Sequence, residues 1–91
     1  MTTEEDAVNE QEVVAQIRRT LAEIKVPNGA NAEPSQTFEE LDVDSLDLVE
    51  LVRALEDAYG VTVPDERLDG VETVGDAARL TVELAQEGAR A

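Results

Sequence analysis

The chain has no cysteine and no histidine, and its 91 residues include one phenylalanine, one tyrosine and no tryptophan. Without cysteine there is no disulfide framework, no thiolate metal site and no cysteine nucleophile. Without histidine the usual zinc sites and every His-based triad or acid–base scheme are excluded. Positive charge is scarce as well. Seven Lys+Arg stand against 22 Asp+Glu, a formal charge of -15 and a pI near 4.1. Such a chain is repelled by phosphate backbones and anionic lipid and attracted to basic protein surfaces, so no nucleic-acid or membrane partner is expected. No run approaches the roughly 18 apolar residues of a membrane span. Met1-Thr2-Thr3-Glu4-Glu5-Asp6 is acidic and polar, the reverse of a secretory or transit signal, which leaves the cytoplasm as the default location.

What is present suffices for one small domain: hydrophobic residues make up 42% of the chain, nearly all of them Leu, Val, Ile and Ala. Val13, Val14, Ile17, Leu21 and Ile24 recur at helical spacing and stop before Pro27-Asn28-Gly29. Residues 26–44 read as a long connection, with Phe38 and Leu41 able to pin it to a core. A second helix is predicted from Ser45 to Tyr59, ended by Gly60. Residues 65–69 suggest one short turn, and a last helix begins near Thr73 with Asp76 as its capping-box partner. Val74, Ala77, Ala78, Thr81, Leu84 and Ala85 form the inner face of that helix. The expectation is an all-α, small four-helix bundle of three main helices and one short one, with a long loop between the first and second. The domain is drawn at 10–87, flanked by an acidic tail at 1–9 and a short one at 88–91, and the chain is expected to be a monomer.

The second helix does not read as a simple core helix. At roughly 100° per residue Leu48, Leu51, Val52, Leu55 and Tyr59 share one sector. Leu46 lies nearly opposite that sector and Val49 about a quarter turn from it. Asp47, Glu50 and Asp57 surround Leu46, with Arg53 beside them. Between Glu39 and Asp57 eight acids face one base. Such crowding destabilises a helix, and the dipole favours only the acids near its start, such as Asp44 and Asp47. A docking surface accounts for the remainder: acids steer a basic partner, and Leu46 and Val49 supply a small apolar contact.

Leu41-Asp42-Val43-Asp44-Ser45-Leu46-Asp47-Leu48-Val49-Glu50-Leu51 resembles the phosphopantetheine attachment motif of acyl carrier proteins. The likeness continues through Leu55-Glu56, Tyr59, Val63-Pro64-Asp65-Glu66 and Thr73-Val74, in the order found in discrete carriers of fatty-acid and polyketide synthesis. It implies that Ser45 bears a 4′-phosphopantetheine arm installed by a carrier protein synthase (a phosphopantetheinyl transferase), and that Asp44 assists the attachment. It also implies acyltransferase and ketosynthase partners, and a protein that is not itself catalytic. The reactive thiol would then belong to the cofactor, consistent with a chain that has none of its own. Read without the surrounding landmarks, Ser45 is better taken as only a helix N-cap, for which serine is among the best residues. The aliphatic core is open to two readings as well, a plain small core or one that parts to admit an alkyl chain.

Four residues depart from the pattern. Asp42 replaces a common glycine, Arg53 stands where an apolar partner-facing residue is frequent, and Thr81 interrupts the last inner face. Phe38 precedes Leu41 by three residues, the spacing of polyketide-type carriers. Together these lean towards secondary metabolism. The nearest competitor is an aminoacyl or peptidyl carrier of non-ribosomal synthesis. From another class come an acidic adaptor and a nucleic-acid mimic. Calcium loops read from Asp42 or Asp65 lack proper ligands at several positions, so no metal site is expected.

Overall fold

The computed structural model describes residues 9–90, of which 88–90 by backbone alone. Residues 1–8 of the first expected tail and residue 91 of the second lie outside the described residues, whereas Asn9 caps the first helix and 88–90 continue the last one. Four α-helices follow in order, α1 Glu10–Glu23, α2 Ser45–Tyr59, α3 Asp65–Leu68 and α4 Val74–Arg90. There is no strand among the described residues, and the all-α bundle with its long first connection stands as expected.

Helix α1 opens where the Asn9 side chain accepts the Glu12 amide at 2.9 Å, and Glu10 and Glu12 set negative charge against its positive end. Val13, Val14, Ile17 and Leu21 are buried on one stripe, each worth on the order of 1.5–3 kcal/mol when removed from water. The helix ends in a Schellman motif. Lys25, left-handed at φ 69°, donates to the Ala22 carbonyl at 3.1 Å, and Val26 donates to the Leu21 carbonyl at 2.9 Å. Gly29 then passes so close to α1 that a Cβ there would lie 2.6 Å from the Leu21 Cβ. Only glycine fits.

The long connection is more ordered than its composition suggests. A 3₁₀ turn occupies Gly29–Asn31, and Phe38 and Leu41 are buried as anticipated. Thr37 and Glu40 bind each other's amides at 3.0 and 2.9 Å. Its main anchor is α4: the Val74 and Gly75 amides donate to the Gln36 and Pro34 carbonyls at 3.0 and 2.8 Å, and the Phe38 amide donates to Glu72 at 3.0 Å. The loop thus accepts from amides that the first turn of a helix cannot satisfy internally.

Helix α4 begins with the anticipated capping box. The Asp76 amide donates to the Thr73 hydroxyl at 3.0 Å, and the Asp76 carboxylate accepts from Thr73 and Glu72 amides at 3.2 and 3.1 Å. Its buried face includes Leu80, which was not expected, whereas Ala85 is only half-buried. The arc is wider than predicted because α4 serves two apolar clusters. One is the main core around Ile17, Leu21, Leu51 and Val74. The other joins Val63, Leu80 and Leu84, with Val52, Val61, Leu68 and Val71 half-buried around it. Thr81 adds no unpaired polar group to the core, since its hydroxyl donates to the Ala77 carbonyl at 2.9 Å.

The two amides hold the Asp76 carboxyl below its ordinary value of 3.8. A carboxyl lowered on folding stabilises the protein above its unfolded pKa, and that contribution fades as pH falls through the folded value. Asp76→Asn is therefore expected to lower Tm at neutral pH, with the gap from the parent protein narrowing below about pH 3.8. A gap constant down to pH 2 in thermal melts would count against this role.

Candidate functional site

The start of α2 is set by a turn and a cap. Val43 donates to the Phe38 carbonyl at 2.9 Å, and Asp42 sits in the left-handed region at φ 62°. Glycine takes that conformation freely, and aspartate and asparagine are among the few other residues that adopt it readily, which gives a physical reason for the glycine-to-aspartate exchange. Asp44, extended at φ -88° and ψ -175°, is the N-cap. Its Oδ1 accepts the Asp47 amide at 2.9 Å, and Asp47 Oδ2 reaches back to the Asp44 amide at 3.5 Å.

Ser45 is consequently the first residue inside the helix and not its cap. Its side chain is exposed, and its hydroxyl makes no hydrogen bond among the described residues. The amides of Ser45 and Leu46 are also without acceptors there. A free hydroxyl beside free amides, at the positive end of a helix, suits a phosphate ester. The capping aspartate is what leaves the serine available.

The eight acids divide into two groups. Glu40, Asp44, Asp47 and Glu56 accept main-chain amides, Glu56 taking that of Val63 at 2.9 Å. Glu39, Asp42, Glu50 and Asp57 are exposed, and their carboxylates accept no hydrogen bond among the described residues. Sequence reasoning set Asp44 and Asp47 apart through the helix dipole but left Glu40 and Glu56 among the acids to be explained by docking. The Thr-x-x-Glu spacing of Thr37 and Glu40 was the signal that could have separated one of them. Asp47 remains beside the outer stripe but has a capping task as well.

Leu46 and Val49 are 75% and 50% exposed, the two large apolar side chains left open among the described residues. They stand with Glu50, Arg53 and Asp57 along the outward face of α2, so the structure brings the predicted docking residues together. The core sector also holds: Leu51 and Leu55 are buried, and Leu48, Val52 and Tyr59 pack half-buried against the apolar clusters. One turn into α2, Leu48 borders a hollow of about 330 Å³ shared with Thr37, Phe38, Glu39, Val71 and Glu72. Val71 belongs to the edge of both apolar clusters. Among the described residues no group of three or more carboxylates could hold a metal ion, and no helix is long and apolar enough to cross a membrane.

Comparison with known proteins gives a consistent result. The family model described as phosphopantetheine attachment site matches residues 12–81. A meromycolate extension acyl carrier protein of Mycobacterium leprae is 37% identical over 86 residues, which cover 93% of this chain and 75% of that one. An acyl carrier protein of Saccharopolyspora erythraea is 42% identical over 78 residues, 85% of this chain and 82% of that one. The fold matches a crystal structure of an acyl carrier protein from Thermotoga maritima with a TM-score of 0.77, at 23% identity, over 86% of this chain and 92% of that one.

The left-handed turn before α2 gives a direct test. Asp42→Val is expected to lose about 1–2 kcal/mol, whereas Asp42→Gly keeps or raises Tm. Equal melting temperatures for the two variants would show that backbone conformation does not govern the position.

Proposed function

The chain belongs to the acyl carrier proteins of the phosphopantetheine-attachment family, and from that premise we propose that the hydroxyl of Ser45 is the point of attachment. Members of this family are carriers and not catalysts, and phosphopantetheine is their prosthetic group. The family match supports a carrier over the acidic adaptor and the nucleic-acid mimic. When bound, the group supplies a terminal thiol that holds an acyl chain as a thioester.

The observation that carries the assignment is the free, exposed Ser45 hydroxyl directly after an aspartate cap. Esterification forms a bond from Ser45 Oγ to phosphorus as the pyrophosphate P–O bond of coenzyme A breaks; the hydroxyl proton is released and the nucleotide half leaves with the bridging oxygen. The Ser45 and Leu46 amides and the helix dipole face the charge that the ester retains. Asp44 supports the reaction by holding the helix start, so that Ser45 need not cap it. Its expected assistance to the transferase is compatible with that task.

Glu39, Asp42, Glu50 and Asp57 draw the transferase and the acyl-handling enzymes by charge, while Leu46 and Val49 make the apolar contact. The carboxylates of these four make no hydrogen bond among the described residues, so presenting them costs the fold no cap. A chain hung from Ser45 has the Leu48–Val71 hollow within its path, and the half-buried aliphatics around Val63 and Leu80 offer it an apolar bed. For the pathway, the Phe38-to-Leu41 spacing and Arg53 support secondary metabolism of the polyketide type over housekeeping fatty-acid synthesis. An aminoacyl or peptidyl cargo is less compatible with the acidic second helix and the Pro64-Asp65-Glu66 segment.

Incubation with coenzyme A and a broad-specificity phosphopantetheinyl transferase is expected to add one 4′-phosphopantetheine by intact mass, and Ser45→Ala to add none. An adduct that persists in the variant would overturn the assignment. Once the arm is octanoylated, the amide resonances of Leu48 and Val71 are expected to shift. A chain lying wholly in solvent would leave them unchanged.

A further inference from the structure

The outward stripe of α2 is acidic, yet a cation stands at its centre. At 100° per residue Arg53 falls within about 20° of the line through Leu46, with Val49 to one side and Asp57 and Glu50 to the other. Its position is two turns, or about 10 Å of helix rise, from Leu46. The guanidinium is exposed. Glu50 precedes it by three residues, and Glu56 and Asp57 follow by three and four, so each is within ordinary helical reach. Among the described residues none of them closes a pair with it within 4.0 Å. Glu56 is turned instead to the Val63 amide.

Other arginines of this chain are engaged at home. Arg18 binds the Ala32 carbonyl at 2.6 Å, Arg67 pairs with Glu83 at 3.3 Å, and Arg79 pairs with Asp76 at 3.4 Å. Arg53 differs from them in both respects: it is unengaged among the described residues, and it occupies the middle of the face already read as a docking surface. A partner patch that was basic throughout would press like charge against that centre, and like-charge contacts reduce affinity sharply. A guanidinium also offers a planar fork of donors that carboxylates match in bidentate fashion. Leu46 and Val49, by excluding water nearby, strengthen such a pair.

Resting on the reading of α2 as the docking face, we propose that the acyl-handling enzyme partnered with this chain seats an aspartate or glutamate opposite Arg53, within a patch that is otherwise basic. The interface is then of mixed charge. Glu50 and Asp57 meet partner cations on either side, and the central carboxylate selects for this chain over carriers with an apolar residue at that position. The same arrangement rejects enzymes whose patch is entirely basic.

The test uses the full chain, converted to the phosphopantetheinylated form and verified by mass. The probes are the host acyltransferase that loads it and, as reference, a malonyl transferase of a housekeeping fatty-acid system with a wholly basic docking patch. At low ionic strength Arg53→Glu is expected to lower kcat/KM with the host enzyme about tenfold or more, and Arg53→Lys to lower it about threefold through loss of the bidentate fork. With the reference enzyme Arg53→Glu is expected to accelerate loading. Reversal of one partner carboxylate to arginine should restore the Arg53→Glu variant. Loading by the host enzyme that is as fast with Arg53→Glu as with the parent, or no rescue from any partner carboxylate, overturns the proposal. Glu50→Lys separates the two levels: slowing by Glu50→Lys without an effect of Arg53→Glu leaves the docking face intact and removes the central carboxylate. Indifference to both removes the docking face itself, and an unmodified Ser45 removes the carrier assignment.

Discussion

Like-charge repulsion is the constraint that the rest of this structure answers to. A 91-residue chain with 22 acids and 7 bases cannot neutralise itself by ion pairs, and exposed pairs contribute little in any case. The fold uses its carboxylates differently. Glu40, Asp44, Asp47, Glu56 and Asp76 each accept main-chain amides, chiefly where a helix or turn would otherwise leave donors without partners. Negative charge is thereby converted from a burden into the means of starting helices and closing turns.

This use of acids also frees the hydroxyl of Ser45, the proposed attachment point. If Ser45 had to cap α2, its oxygen would be committed to a backbone amide. With Asp44 in that position the oxygen is free, and the helix still has its cap. The anchoring of the long loop to the first turn of α4 fixes the approach to Asp44, because Pro34, Gln36 and Phe38 are all held there through the main chain. The serine therefore projects from a supported helix end.

Much of this was legible in the chain itself. Helix boundaries at Ser45, Tyr59 and Gly60 followed from periodicity and from a glycine that could only be a stop. The Thr73–Asp76 box, the pinning of Phe38 and Leu41, and the exposure of Leu46 and Val49 were equally local in origin. What was not legible depends on contacts distant in sequence. Leu80 is buried because α4 faces a second cluster built from Val63 and Leu84, which a single-helix wheel cannot reveal. The order of residues 29–42 comes from carbonyls that meet α4 some forty residues later. The capping role of Asp44 in place of Ser45 turned on one residue of helix phase, and serine and aspartate are nearly equal in that role.

On the proposed docking face two aliphatic side chains, Leu46 and Val49, are a meagre adhesive for a carrier that serves biosynthetic enzymes. Long-range attraction governs how fast such complexes assemble, whereas the lifetime of an encounter is governed by the dry contact at its middle. A surface with strong attraction and little dry contact forms encounters quickly and dissolves them quickly. Brief occupancy is what a shared intermediate requires, since each enzyme must let go before the next can act.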